Sequence, residues 1–148
     1  MTKCICCDDG FAEGKPVYRI QIGRAIRHAV GGHVVFDALS SSFYMHNHCM
    51  SPVVHNLKFR FQKEPCKCGR CGTNIFDDGE ELISRTTKGE FVYEKGLLHF
   101  DEVENTSMIP DLYFCAECAY EDFGSDVGYR NEYEVCLDYL IKMGKVIG

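Results

Sequence analysis

The chain has 148 residues, of which ten are cysteine and none is tryptophan, and its formal net charge is −6. A length of this order suits one ordinary domain or two small domains that bind metal. The first ten residues contain no apolar signal segment, and the chain has no run of about 18 apolar residues. These features predict a reducing intracellular compartment, cytoplasm or nucleus, and no membrane span. In such a compartment most cysteines stay reduced and are available to bind metal.

Charge is distributed unevenly along the chain. Residues 1–71 contain ten Lys or Arg and five Asp or Glu, whereas residues 72–148 contain six and seventeen. A basic half followed by an acidic half is typical of two surfaces with different partners, although an acidic face also keeps a small protein soluble. We therefore expect a protein partner for the acidic half and, as an alternative, nucleic acid for the basic half.

In the first half of the chain, the sequence contains a cysteine pair and predicts a β-hairpin after it. Residues 4–7 (CICC) precede an Asp-Asp-Gly turn, and the alternation of residues 15–22 predicts a strand. Residues 23–30 either extend this strand or form one helical turn. The return strand covers residues 33–37, after a turn signal of two glycines.

The segment that joins the two halves begins at residues 46–49 (HNHC). A short helix near Cys49 is expected, because Pro52 is tolerated in a first helical turn. Residues 58–63 (KFRFQK) alternate aromatic and charged side chains, which is closer to a strand than to a helix. The chain then reaches a second cysteine group at residues 66–71 (CKCGRC).

The second half predicts a three-stranded meander. Its strands cover residues 81–87, 90–94 and 97–100, with turns at Lys88-Gly89 and Lys95-Gly96.

Two helices are predicted to follow the meander. The first covers residues 116–123 and ends at Gly124. The second begins at Asn131, which can cap it, and continues to Gly144. Its apolar stripe is predicted to consist of Tyr133, Leu137, Leu140 and Ile141.

Eight cysteine and histidine side chains have the spacing of metal ligands. Two residues between paired ligands place both on one turn, whose backbone N–H groups can reach the sulfurs. This spacing favours a first site of Cys4, Cys7, His46 and Cys49 and a second site of Cys68, Cys71, Cys115 and Cys118. Cys6, Cys66 and His48 are the alternative ligands at neighbouring positions. Cys136 is expected to be a small core residue, and the other histidines are expected to lie on strands or on the surface.

The two halves repeat the same order of residues. The first group, Cys4, Cys7, Phe36 and Asp37, recurs with an offset of 64 as Cys68, Cys71, Phe100 and Asp101. The second group, Tyr44, His46 and Cys49, recurs with an offset of 69 as Tyr113, Cys115 and Cys118. Gly14 and the strand after it match Gly79 and its strand with an offset of 65. We interpret the repeat as an internal duplication.

Each half thus contains a knuckle (the turn that holds its first cysteine pair), then a hairpin, then a second ligand pair at the start of a helix. This order resembles the treble-clef zinc fingers. The order of the ligands, Cys-Cys-His-Cys and then four Cys, is similar to that of a LIM domain. The resemblance implies an α+β fold of two small zinc-stabilised modules, each with a knuckle, a β-hairpin or meander and a short helix. It also implies two structural Zn²⁺ ions. We expect modules at residues 1–63 and 64–124 and a C-terminal helix, residues 125–148, packed on the second module.

The predicted function is a non-catalytic interaction module that acts as an adaptor or regulator of a larger protein machine. Four protein ligands leave no open metal position for water or substrate, which favours a structural role. No carboxylate pair, phosphate loop or dinucleotide fingerprint stands out, so no enzyme is expected. A lesser alternative is a nuclease similar to the HNH family, suggested by residues 46–48, with His48 or His33 as the base.

The principal alternative is a regulator that binds nucleic acid through its basic segment. There, cations could contact phosphates while aromatic rings stack on bases. The candidate residues are Lys58, Phe59, Arg60, Phe61, Lys63, Lys67 and Arg70, with Arg19, Arg24 and Arg27 as an extension. A strand with one solvated face explains the same pattern without nucleic acid.

Overall fold

Residues 3–27, 34–50, 67–73, 82–102 and 111–142 are described in the computed structural model of the protein. The strands of these residues form one antiparallel sheet. The two named helices come after the last strand, in the second half of the chain. The strands are β1 (Pro16–Arg27), β2 (Val34–Ala38), β3 (Phe43–His46), β4 (Ile83–Glu94), β5 (Leu97–Glu102) and β6 (Leu112–Cys115). The helices are α1 (Ala116–Phe123) and α2 (Val127–Lys142). Within these ranges no helix is long and apolar enough to cross a membrane.

Two long strands, β1 and β4, form the centre of the sheet. They pair with each other from Pro16↔Glu90 to Gly23↔Ile83. Along its other edge β1 pairs with β2 and β3, and β4 pairs likewise with β5 and β6. Because β1 belongs to the first half of the chain and β4 to the second, the halves share one sheet. The division into modules at 1–63, 64–124 and 125–148 stays a prediction, since strand pairing alone does not define folding units.

The register of the strands repeats between the halves. Val17 pairs with His46 as Ile83 pairs with Cys115, and Gly23 pairs with Ala38 as Gly89 pairs with Glu102. The offset between equivalent positions of β1 and β4 is therefore 66, as from Val17 to Ile83, which corrects the offset of 65 inferred for the strands. Gly79 lies outside the described residues. Ile20 lies opposite Thr86, its own equivalent, so an approximate two-fold axis passes through this pair.

Residues 23–27 continue β1, so of the two alternatives predicted there the strand is correct. The turn predicted at Lys88-Gly89 is wrong, because both residues lie inside the continuous strand β4. Gly89 is needed there for close approach. A Cβ atom at this position would lie 2.5 Å from Cζ of Phe100 on the paired strand. The turn predicted at Lys95-Gly96 is confirmed, and both of its residues have positive φ.

Helix α1 has the predicted bounds. The Sγ atom of Cys115 accepts a hydrogen bond from the Cys118 N–H at the helix start, and the Gly124 N–H donates to the Tyr120 carbonyl at its end. The prediction that Cys115 and Cys118 lie at the start of a helix is therefore confirmed. In the first half, residues 47–50 are also helical, and the chain beyond them, including the predicted strand at 58–63, lies outside the described residues.

Helix α2 begins earlier than predicted, at Val127. Its start is capped by Asp126, whose Oδ1 accepts a hydrogen bond of 2.9 Å from the Tyr129 N–H, so Asn131 is not the cap. The side chains that α2 buries are Tyr129, Cys136 and Leu140, which confirms Cys136 as a core residue. Ile141 is 46% exposed, and its assignment to the apolar stripe is wrong.

Helix α2 packs against strands from both halves of the chain. The hydroxyl of Tyr129 lies 2.6 Å from the Ser84 hydroxyl of β4, and its ring lies 5.5 Å from the Phe43 ring of β3. The ring of Phe123 in α1 contacts the ring of Tyr129 and also the ring of Phe114 in β6. The helices thus cover one face of the sheet near its two-fold axis, and the cysteine clusters lie at the ends of β3 and β6.

Candidate metal centres

The first cluster contains the four side chains predicted for the first site. The ligand atoms of Cys4, Cys7, His46 and Cys49 all lie within 4.8 Å of one another. Sγ of Cys7 is 3.3 Å from Nδ1 of His46. A tetrahedral zinc site, with bonds of about 2.3 Å to sulfur and 2.0–2.1 Å to nitrogen, separates its ligand atoms by about 3.5–3.8 Å. The cluster therefore has the dimensions to hold one metal ion.

The ring of His46 is oriented for binding through Nδ1. Its other nitrogen, Nε2, lies 2.9 Å from the carbonyl oxygen of Gly10. A carbonyl can only accept, so Nε2 carries the proton and Nδ1 presents a lone pair toward the cysteines. A hydrogen bond from the distal nitrogen to a carbonyl is the usual arrangement for a histidine that binds metal. Phe11 also contacts this ring, at 4.6 Å between centroids.

The second cluster contains the four cysteines predicted for the second site. Their Sγ atoms also lie within 4.8 Å of one another, and those of Cys71 and Cys115 are 3.8 Å apart. This distance equals the edge of a tetrahedron with metal–sulfur bonds of about 2.3 Å. Cys68 and Cys118 are buried, whereas Cys71 is exposed. Four sulfur donors in this arrangement suit zinc or iron.

The two cysteine pairs near the start of each half are held by equivalent backbone hydrogen bonds. Cys4 N–H donates to Asp9 O at 2.9 Å, and Cys68 N–H donates to Thr73 O at 2.9 Å. Each turn also includes a residue with positive φ, Asp8 at 64° and Gly72 at 77°. These two turns bring both of their cysteines into one cluster.

Each of these turns is also anchored to the strand that carries the other ligands. Ile5 N–H donates to Tyr44 O at 3.0 Å, and Gly69 N–H donates to Tyr113 O at 2.7 Å. Tyr44 and Tyr113 each lie two residues before a ligand. The backbone thus brings together ligand pairs that are separated in sequence by the whole of a hairpin.

The environment of the thiols favours negative charge at one cysteine of each turn. Burial alone would raise the pKa of Cys4, but hydrogen bonds from the backbone of Cys7, His46 and Cys6 lower that pKa to about 7. Burial likewise opposes ionisation of Cys71, but hydrogen bonds from the side chain and backbone of Thr73 lower its pKa to about 6. The Thr73 hydroxyl is 3.0 Å from that sulfur.

The sulfurs of Cys115 and Cys118 resist ionisation. Burial is the largest cause that raises the pKa of Cys115, to about 11. Burial is also the largest cause that raises the pKa of Cys118, and the neighbouring sulfurs raise that pKa further. Four thiolates at these distances repel one another strongly unless a cation lies between them. The cluster as a whole therefore favours a bound metal cation.

The neighbouring alternatives have other positions. Cys6 is exposed, and its N–H donates to Cys4 Sγ at 3.4 Å as part of the turn. His48 is stacked on His46, with centroids 4.9 Å apart, and is not one of the four grouped ligands. Cys66 lies outside the described residues, as does His33. Among the described residues, the rule of two intervening residues therefore chose the side chains that cluster over the neighbouring Cys6 and His48.

The basic segment is described only at its end. Lys58, Phe59, Arg60, Phe61 and Lys63 lie outside the described residues, and their role stays a prediction. Lys67 is exposed. Arg70 forms ion pairs of 2.9 Å with Glu121 and 3.4 Å with Asp122, both on α1. Its charge is therefore matched within the protein.

Two of the three arginines suggested as an extension are engaged as well. Arg24 pairs with Asp37 at 3.3 Å, and Arg19 lies over the Phe100 ring.

Sequence reasoning missed Thr73 and Gly10, which contact the clusters, because a hydroxyl and a backbone carbonyl have no distinctive spacing. It also treated Arg85 only as part of a strand, although Arg85 lies over the ring of Phe36.

Comparison of the chain with known protein families, with curated proteins and with solved structures found no significant match.

Proposed function

We propose that both clusters bind Zn²⁺ as closed structural sites in two treble-clef-like units whose ligand order is similar to that of LIM domains. The observation that carries this proposal is that each cluster presents four N or S donors within 4.8 Å of one another, close enough for one metal ion. In each half, a knuckle supplies two ligands and the segment where a strand meets a helix supplies the other two. The metal would link each knuckle to the strand and helix that carry the other two ligands.

Native mass spectrometry of the purified full chain tests the metal assignment. We expect a mass corresponding to two bound Zn²⁺ ions. The variant Cys71→Ser should retain fewer than two ions, whereas the control Cys6→Ser should retain two, because Cys6 is not among the grouped ligand atoms. A chain that carries iron, or fewer than two ions at neutral pH without chelator, would contradict the assignment.

The proposed role of these closed sites is to support an interaction surface rather than to catalyse a reaction. Four protein ligands leave no position for substrate, so the metal would act through the fold alone. Helix α2 provides the surface. Val135 and Tyr139, one helical turn apart, are 62% and 48% exposed and form an apolar row. Exposed apolar side chains that form a contiguous row favour contact with a protein.

Charge beside this row favours a basic partner. Glu134 and Asp138 form an adjacent row one turn apart, and both are exposed. Only Asp138 has a described counter-charge, Lys142 at 3.0 Å. The partner would therefore present apolar side chains flanked by Lys or Arg, which suits an adaptor or a regulator of a larger assembly.

A double variant, Val135→Glu with Tyr139→Glu, tests this surface. We expect it to abolish partner capture by the tagged full chain, measured by quantitative mass spectrometry of native lysate treated with nuclease. Stability should change by less than about 0.5 kcal/mol, since both side chains are exposed. The matched control is Leu97→Glu, an exposed apolar residue of β5 that is 64% exposed. Equal capture by the wild type and both variants would contradict the proposed surface.

A further inference from the structure

Two arginines occupy equivalent positions on the face of the sheet opposite the helices. Arg19 of β1 and Arg85 of β4 are related by the same offset as the strands, and each guanidinium lies over a phenylalanine of the other half of the chain. The Cζ atom of Arg19 is 4.9 Å from the centroid of Phe100, and that of Arg85 is 4.6 Å from the centroid of Phe36. The approximate two-fold axis therefore relates two cation–aromatic pairs that join the halves.

The strand register places two further polar side chains between these arginines. Arg19 lies opposite Thr87, and Gln21 lies opposite Arg85. Residues directly opposite each other in an antiparallel pair share a face, and so do alternate residues of one strand. The side chains of Arg19, Gln21, Arg85 and Thr87 thus form one polar group at the centre of this face.

The charge of Arg85 has no acidic partner within the described part of the chain. Its Nη2 donates to Oε1 of Gln21 at 2.6 Å, which is a neutral acceptor. Its Nε is buried and has no hydrogen-bond partner among those residues. Arg24 and Arg70, in contrast, both pair with carboxylates. A buried donor on a charged group is costly to leave unsatisfied, so this nitrogen requires an acceptor.

Thr87 provides a second unsatisfied group in the same place. Its side chain is 3% exposed, and its Oγ1 is buried without a hydrogen-bond partner in the described ranges. Thr87 lies two residues from Arg85 on β4, about 6.7 Å along the strand. A hydroxyl and a guanidinium N–H on the same face of one strand are donors suited to an oxygen-rich anion.

We propose that Arg85 and Thr87, supported by Gln21, bind an oxyanion, the phosphoryl or carboxylate group of a small ligand. The anion accepts hydrogen bonds from Nε of Arg85 and from the Thr87 hydroxyl, and it neutralises the guanidinium charge. The ring of Phe36 holds the guanidinium plane in position, so its donors point in a fixed direction. This site is separate from both metal clusters and from the exposed row on α2.

Titration of the metal-loaded full chain with inorganic phosphate or with acetate, at constant ionic strength in chloride, tests the proposal. The readout is the NMR resonance of the Arg85 Nε–H group, together with the melting temperature. We expect a saturable shift of this resonance with one of the two anions. A response to phosphate identifies a phosphoryl site, and a response to acetate identifies a carboxylate site.

Three variants separate this site from non-specific anion binding. Arg85→Gln should weaken binding at least about tenfold, because it removes the charge and the donor. Thr87→Val should weaken binding about threefold to tenfold without lowering the melting temperature, since it removes a buried hydroxyl that lacks a partner. The control Arg24→Gln should bind like the wild type, because Arg24 is paired with Asp37.

Two outcomes would overturn the proposal. One is the absence of saturable binding of either anion by the wild type. The other is equal binding by the wild type, Arg85→Gln and Thr87→Val, which would assign the effect to an adventitious ion only. If Arg85→Gln fails to fold, the comparison of Thr87→Val with the wild type decides, since that variant keeps the arginine and its contact with Phe36.

Discussion

Replacement of Cys118 by serine should unfold both halves of the protein together. Cys118 is 7% exposed and belongs to the second cluster, on the first turn of α1. Structural zinc contributes about 10–16 kcal/mol to small metal-dependent folds, which equals or exceeds the total stability of about 5–15 kcal/mol of an ordinary domain. With zinc bound as proposed, loss of one ligand would remove most of the free energy that stabilises the second half.

The shared sheet should transmit this loss to the first half. Strand β1 pairs with β4 from Pro16↔Glu90 to Gly23↔Ile83, and these bonds are lost when β4 unfolds. Hydrogen exchange of the amides of β1 and of β4 measures the effect separately in each half. We expect protection in both strands to fall in Cys118→Ser, and likewise in the wild type after chelation of the metal.

Cys6→Ser is the matched control for this prediction. Cys6 is also a cysteine beside a cluster, but it is exposed and is not among the grouped ligands. Its replacement should change the free energy of unfolding by less than about 0.5 kcal/mol. A Cys118→Ser variant that loses one metal ion and still melts cooperatively near the wild-type temperature would refute a structural role for the second site.

The two clusters of cysteine and histidine side chains could be predicted from sequence because the information that defines them is local. Two intervening residues place Cys68 and Cys71 on one turn and Cys115 and Cys118 on one helical turn, whatever the rest of the fold does. The end of α1 was equally local, since a glycine directly after a helical pattern is a common signal for the end of a helix. The repeat extended the same reasoning from one half of the chain to the other.

The joining of the halves could not be predicted in this way. The pairing of β1 with β4 joins residues far apart in sequence, and contacts such as Arg85 over Phe36 link the halves only in the folded state. The same limitation affected helix α2, where Asp126 and Asn131 are both good caps. The burial of Tyr129 against Ser84 fixes an earlier start and selects Asp126. Here a contact that exists only in the folded state, Tyr129 with Ser84, decided between two capping signals of similar strength.

Gly89→Ala should destabilise the protein by at least about 2–3 kcal/mol, the upper range for overpacking a well-filled site. At Gly96, which does lie in a turn, no atom is within 4 Å of an added Cβ. In the strand, however, the new Cβ would lie 2.5 Å from Cζ of Phe100 and 2.5 Å from the carbonyl oxygen of Asp101. That carbonyl belongs to the backbone of the paired strand, so it cannot move without disturbing the hydrogen bonds of the ladder.

The two-fold relation between the halves provides an internal replicate. Gly23 is equivalent to Gly89, and a Cβ there would lie 2.6 Å from Cζ of Phe36, so Gly23→Ala should have a similar effect. The control is Gly10→Ala, where no atom lies within 4 Å of the new Cβ and the stability should stay within about 0.5 kcal/mol. Denaturant unfolding at a fixed free metal concentration measures all three. Neutral effects at Gly89 and Gly23 would show that β1 and β4 are not packed closely against their outer strands, whereas a large effect at only one would contradict the equivalence of the halves.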